Sequence, residues 1–281
     1  MSGSVKLPLL VAAGLIVAVA LIVRPRDGLR PVVGPARHDT TPSSTAQTKV
    51  VSPVDSSAGR ADDRTEPVKA EFVYLFDVST STHPGGVDDP FERAARTLVP
   101  SIIALRQNEL LMPQRHRVGT IGAASLMQEP LCDVRLEPPA SFARRDTTIP
   151  NARIRACDAA LRAHASEKQT DIRGALAFAA LTLHGQRQIV RGIVLITDLE
   201  EALERGQVGA IPDLRGICVA AFSMVTPSAV ARPDSLTLRE QEWSAQLRSW
   251  GATRVKVQSI LGFDAGDLEQ YFRTCPASHF P

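Results

Sequence analysis

The chain has 281 residues, of which 44% are hydrophobic, and a formal net charge of +2 at pH 7. That apolar fraction can bury a sizeable core in one domain with appendages, and the near-neutral charge removes any electrostatic case for a nucleic-acid partner. Four cysteines, Cys132, Cys157, Cys218 and Cys275, have neither the close pairing of a zinc site nor the density of a disulfide scaffold. They read as buried thiols, with a Cys132–Cys157 bridge as the alternative in an oxidising compartment.

Leu7 to Val23 is an uninterrupted, uncharged apolar segment followed by Arg24-Pro25-Arg26. As a helix it would span roughly 26 Å, close to the hydrocarbon thickness of a bilayer. No small-residue cleavage site follows it, so residues 1–26 are expected to form a single-pass transmembrane anchor rather than a removed signal peptide. Arg24, Arg26 and Arg30 outnumber Lys6, which by charge count places the following domain in the cytoplasm. Residues 27–70 are rich in Pro, Ser, Thr and Ala and almost lack aromatics, so they read as a disordered tether with an end-to-end distance on the order of 35 Å. That stalk-like composition favours the opposite orientation, with the domain outside the cytoplasm of a bacterial inner membrane.

From residue 71 to 281 the pattern is that of a folded α/β domain. Phe72 to Phe76 is a continuous apolar run, suited to a strand buried on both faces, and it stops at Asp77. Asp88-Asp89-Pro90 opens a helix whose apolar spacing runs from Phe91 to Leu105. Arg117 to Ala124 reads as the second strand, and Val134 to Leu136 as a short edge strand. Asn151–Ala165 and Asp171–Leu183 are expected helices. Ile189 to Thr197 repeats the logic of the first strand and ends at Asp198. A strand at Gly216–Val225, a helix from a Ser235 cap to Trp250, a strand at Arg254–Ile260 and a short helix at Gly266–Arg273 close the chain. On that helix Trp243 and Trp250, seven apart, are expected to share a face against the core. This alternation predicts a doubly wound, mostly parallel, Rossmann-like sheet covered on both faces.

Oxygen-bearing side chains collect at the carboxyl ends of those strands. Asp77, Ser79 and Ser81 follow the first strand, Thr170 stands just ahead of a helix, and Asp198 follows the second strongly apolar strand. Open α/β sheets bind ligands at this end, and a set of carboxylates and hydroxyls suits magnesium, manganese or calcium rather than zinc.

In order and spacing, Asp77-Val78-Ser79-Thr80-Ser81, then Thr170-Asp171-Ile172-Arg173-Gly174, then Thr197-Asp198, resembles the metal-ion-dependent adhesion site of von Willebrand factor type A (VWA) domains. The resemblance covers about Glu71 to Arg273. It implies a divalent cation, Mg2+ first, with Mn2+ and Ca2+ as alternatives. Ser79 and Ser81 would hold it through their hydroxyls, Thr170 directly or through water, and Asp77 and Asp198 largely through waters and hydrogen bonds. Such an ion keeps an open position for a Glu or Asp carboxylate of a partner protein. Lys168-Gln169 stands where the family pattern has two glycines, Leu199 where it often has one, and Asp171, Glu200 and Glu201 add carboxylates near the site.

The leading expectation is therefore a membrane-anchored, non-enzymatic binding module. The alternatives are a scaffold with a vestigial metal site and a metal-dependent hydrolase. Against the hydrolase, phosphotransfer enzymes of the haloacid dehalogenase type carry a second aspartate where this chain has Ser79, and no Ser-His-Asp, Cys-His or phosphate-cradling glycine loop is present. The sequence carries no indication of oligomeric state.

Overall fold

The structure, a computed structural model, describes residues 67–86, 89–123, 125–138, 148–185, 189–207 and 209–277. The expected anchor at Leu7–Val23 and nearly all of the expected tether lie outside them. Among the described residues no helix is long and apolar enough to cross a membrane.

Six strands form one sheet: β1 (Ala70–Asp77), β2 (Gln114–Ile121), β3 (Cys132–Leu136), β4 (Val190–Thr197), β5 (Cys218–Ser223) and β6 (Arg254–Ser259). Their order is β3-β2-β1-β4-β5-β6, and every pair is parallel except the edge pair β2–β3. The helices are α1 (Pro90–Ala95), α2 (Leu98–Arg106), α3 (Thr148–Arg162), α4 (Ile172–His184), α5 (Pro227–Ala231), α6 (Pro233–Ser249) and α7 (Ala265–Arg273). β1 and β4 are buried along their whole length, which is why their sequences are nearly continuous apolar runs. With a side-chain period of two, Phe72, Tyr74 and Phe76 pack on α1, α2, α3 and α7. Val73 and Leu75 pack against α4 and α6 on the other face. The chain leaves β1 for β2 on one side and returns to β4 on the other, so the order reverses at β1/β4. Open α/β sheets bind ligands at the carboxyl ends of the strands beside such a reversal.

Three details differ from the sequence reading. The single helix over 91–105 is two, α1 and α2. Pro100 lacks an N–H and its ring would meet the Arg96 carbonyl in a continuous helix, so the chain breaks at Arg96-Thr97, where the Thr97 hydroxyl donates to the Ala94 carbonyl at 2.7 Å. β2 starts three residues earlier than expected because Gln114 and His116 look like loop residues yet are buried in pairs. Gln114 donates to the Leu105 carbonyl at 2.6 Å, and the His116 ring lies 2.9 Å from Gln114 Oε1 and 3.2 Å from Tyr74 Oη. Helix α6 begins at Pro233, so Ser235 is not its cap but lies in its first turn. Trp243 and Trp250 do meet edge to face, with ring centroids 6.0 Å apart.

The cysteine reading is corrected. Both pairs are disulfides, Cys132–Cys157 between β3 and α3, and Cys218–Cys275 between β5 and the chain just beyond α7. No cysteine of the described residues is free. The sequence separations of 25 and 57 hid this, because the partners are brought together only by the sheet and its covering helices.

Candidate functional site

The first loop is built by its own hydrogen bonds. As β1 ends, Asp77 Oδ1 accepts from the Ser79 N–H at 2.9 Å, and the Thr82 hydroxyl lies 3.0 Å from both the Asp77 and the Ser79 carbonyl oxygens. His83 N–H closes the turn onto the Ser79 carbonyl at 2.7 Å. The turn leaves Ser79 Oγ and Ser81 Oγ 3.0 Å apart. From the neighbouring strand, the Thr197 hydroxyl donates to Asp77 Oδ2 at 2.6 Å. Asp198 Oδ2 accepts from Ser81 Oγ at 2.9 Å while its Oδ1 accepts from the Glu200 N–H at 3.0 Å. Asp77, Ser79, Ser81 and Asp198 thus form one connected cluster at the carboxyl ends of β1 and β4.

Thr170 is brought to the third loop by main-chain pairing. Its N–H and carbonyl exchange hydrogen bonds of 3.0 Å with Ala202. Thr170 is buried, and among the described residues its hydroxyl makes no hydrogen bond to the other four side chains.

Asp77 and Asp198 are 0% and 1% exposed. Burial pushes the Asp198 carboxyl up to about 6, with the charge of Asp77 as the next cause. Burial also raises Asp77, against hydrogen bonds from Thr197, Ser79 and Thr82. Among the described residues no basic side chain bonds either carboxylate; Arg239 reaches instead for the Asp198 carbonyl at 2.8 Å and for Glu200. Two buried acids without a cation are the electrostatic condition that a bound metal relieves, and the donor set is all oxygen, as a hard divalent ion requires. Among the described residues no three His, Cys, Asp or Glu side chains converge as a metal cage. This site has two carboxylates, and its remaining donors are hydroxyls.

The surrounding acids are occupied elsewhere. Asp171 caps α4, accepting from the Gly174 N–H at 2.8 Å. Glu201 holds Arg173 through its main-chain N–H at 3.0 Å and its side chain at 2.6 Å, and Glu200 pairs with Arg239. Asp171→Ala is accordingly expected to cost about 1 kcal/mol through loss of the cap while leaving divalent-cation affinity unchanged. Parallel denaturation and titration check this, and a changed affinity would place Asp171 in the site.

Leu199 stands at φ 62°, a left-handed conformation that favours glycine. Its side chain lies in the core with α6, and its carbonyl accepts from Trp243 Nε1 at 3.0 Å, which offsets the strain. Sequence reasoning missed Thr82 and the side-chain role of Thr197. Both are hydroxyl residues within one turn of a chosen ligand, a signal too common in loops to single them out.

No family model and no curated protein matches the chain. Solved structures similar to it include an aerotolerance-related membrane protein from Bacteroides fragilis at 13% identity, covering 73% of this chain and 98% of that one with a TM-score of 0.41. A von Willebrand factor type A protein from Catenulispora acidiphila has 14% identity, 74% and 42% coverage and a TM-score of 0.39. Manganese-loaded TRAP protein of Plasmodium vivax has 11% identity, 75% coverage of both chains and a TM-score of 0.38. The mixed α/β sheet described above is the architecture the sequence resemblance implies. At these levels the likeness carries no argument, and the case for the fold and the site rests on this chain's own geometry.

Proposed function

We propose that this chain is a protein-interaction module that holds a divalent cation, Mg2+ first, with Asp77, Ser79, Ser81, Thr170 and Asp198. The observation that carries the reading is the pair of buried carboxylates, Asp77 and Asp198, joined through Ser79 and Ser81 with no basic partner among the described residues. When bound, the cation supplies positive charge and an open coordination position for a Glu or Asp carboxylate of a partner protein. The Ser79, Ser81 and Thr170 hydroxyls offer neutral oxygens, so they leave the positive charge largely unneutralised. Asp77 fixes the turn that carries Ser79, Asp198 orients the Ser81 hydroxyl, and both carboxylates retain the cation.

The two disulfides support a domain that matures outside the cytoplasm, since such bonds persist in oxidising compartments. With the apolar Leu7–Val23 segment, this supports a single-pass anchor in a bacterial inner membrane with the domain held on its outer side. A reporter active on only one side of the membrane, fused after Pro281, tests the orientation; activity on the cytoplasmic side would reverse it. The site itself is tested by calorimetry with Mg2+ and Mn2+. Binding is expected in the purified protein and is expected to be lost in Asp77→Ala; binding that survives unchanged in that variant would refute the metal reading.

A further inference from the structure

The connection from α3 to α4 carries Thr170, and it has no helix or strand of its own to hold that hydroxyl in place. One residue of this connection, Glu167, meets two other parts of the molecule. Its main chain brackets Ser79: Glu167 N–H donates to the Val78 carbonyl at 2.8 Å, and Thr80 N–H donates to the Glu167 carbonyl at 2.7 Å. Its carboxylate leaves the site and anchors in the loop after β2, where Oε2 accepts from the Ala123 N–H at 2.7 Å and Oε1 lies 3.4 Å from Gln128 Nε2. The Thr120 hydroxyl donates to Gln128 Oε1 at 3.1 Å, which turns the amide so that its NH2 faces Glu167.

Gly122 is shaped for this anchor. A Cβ there would lie 2.1 Å from Glu167 Oε2, so any larger residue would push the carboxylate out of this position. The Gly122 carbonyl in turn accepts from the Asp171 N–H at 2.9 Å, next to Thr170. The loop after β2, which donates no oxygen to the candidate site, is therefore tied to the stretch 167–171 at both ends.

We propose that Glu167 is a positioning residue of the metal site, its carboxylate clamped over Gly122 so that Ser79 and Thr170 are held at a fixed separation. This rests on the metal reading given above. Metal ligands must sit within about 0.2 Å of their ideal distances, and Ser79 and Thr170 come from different loops whose described shared ties run through this segment. Removing the carboxylate cuts the side-chain tie between the loop after β2 and the main chain that brackets Ser79, while every ligand residue is still present.

The experiment is Mn2+ titration of the full chain in detergent, by calorimetry and by the electron paramagnetic resonance signal of bound Mn2+, alongside metal-free melting. Glu167→Ala and Gly122→Ala act on opposite sides of one contact, and both are expected to weaken Mn2+ binding by about 10- to 100-fold. Glu167→Gln keeps an acceptor for the Ala123 N–H and is expected to retain affinity within about threefold. Wild-type-like affinity in Glu167→Ala and Gly122→Ala, with Asp77→Ala still abolishing binding, overturns this proposal and leaves the metal reading standing. Equal losses in Glu167→Gln and Glu167→Ala would assign the effect to charge and also overturn positioning. If the wild type itself binds no Mn2+, the metal reading fails and takes this proposal with it.

Discussion

Without divalent cations at pH 7.5, Asp198→Asn is expected to be more stable than the wild type. The Asp198 carboxyl is raised from 3.8 to about 6, chiefly by burial and next by Asp77. A carboxyl raised in the folded state stabilises the fold while protonated, so its contribution is present below 3.8 and is lost as pH rises through about 6. Above that pH the buried charge is a net cost, on the order of 3 kcal/mol at most. Asparagine has the same shape and can still accept from the Glu200 N–H, so it removes the charge without opening a cavity.

His116 has the opposite sign. Burial lowers it to about 3, so its contribution is present above 6.5 and is lost as pH falls through about 3. The metal-free wild type should therefore gain stability as pH drops from about 6 towards 4 through Asp198, against the growing loss from His116. In Asp198→Asn the Asp198 part of that gain should be absent, leaving the gain from the other raised carboxyls, Asp77 among them, against the loss from His116. Mg2+ should raise the wild-type melting temperature at pH 7.5, and this gain should shrink below pH 6 as protons compete for Asp198. Melting curves from pH 4 to 8, with and without Mg2+, decide the matter; a destabilised, metal-free Asp198→Asn would show that the carboxylate is a structural partner and not a site held at a cost.

Removing the disulfides is the second large effect. In the loop-entropy account, closing loops with sequence separations of 25 and 57 is worth about 3.5 and about 4 kcal/mol. Cys218 is fully buried and ties the start of β5 to the chain after α7, the helix whose Phe272 and Leu268 complete one core layer. Cys132, by contrast, lies on the partly exposed edge strand β3. The Cys218→Ala, Cys275→Ala double variant is accordingly expected to lose more stability than the Cys132→Ala, Cys157→Ala one. Urea unfolding of both, with reduced wild type as the reference, tests the order. Equal midpoints for oxidised and reduced wild type would remove the disulfides from any account of stability, and with them the main support for maturation outside the cytoplasm.

Much of the fold was legible because it is written in short-range patterns. Phe72–Phe76 and Ile193–Ile196 are apolar without interruption, and strands buried on both faces need that composition. The positions of Asp77, Ser79, Ser81 and Asp198 after strands and of Thr170 ahead of a helix were legible because periodicity locates the elements themselves. Helix α1 was legible from Asp89-Pro90, where Asp89 accepts from the Phe91 N–H at 2.8 Å as a cap.

Other features depend on which distant atoms meet, and no local pattern encodes that. Gln114 and His116 look like loop residues until Leu105 and Tyr74 supply their partners. Asp171, Glu200 and Glu201 look like competing ligands until Gly174, Arg239 and Arg173 engage them. The cysteines read as thiols until β3 meets α3 and the chain end meets β5. The sequence by itself determined the α/β class, the strand cores and the oxygen donors, because strand period and strand ends are local properties. The tertiary structure alone decided the disulfide pairing, the single antiparallel edge, the clasp of Glu167 over Gly122 and the linkage of Ser81 to Asp198. Each of these is a contact between segments far apart in the chain, set by how the sheet brings its loops together.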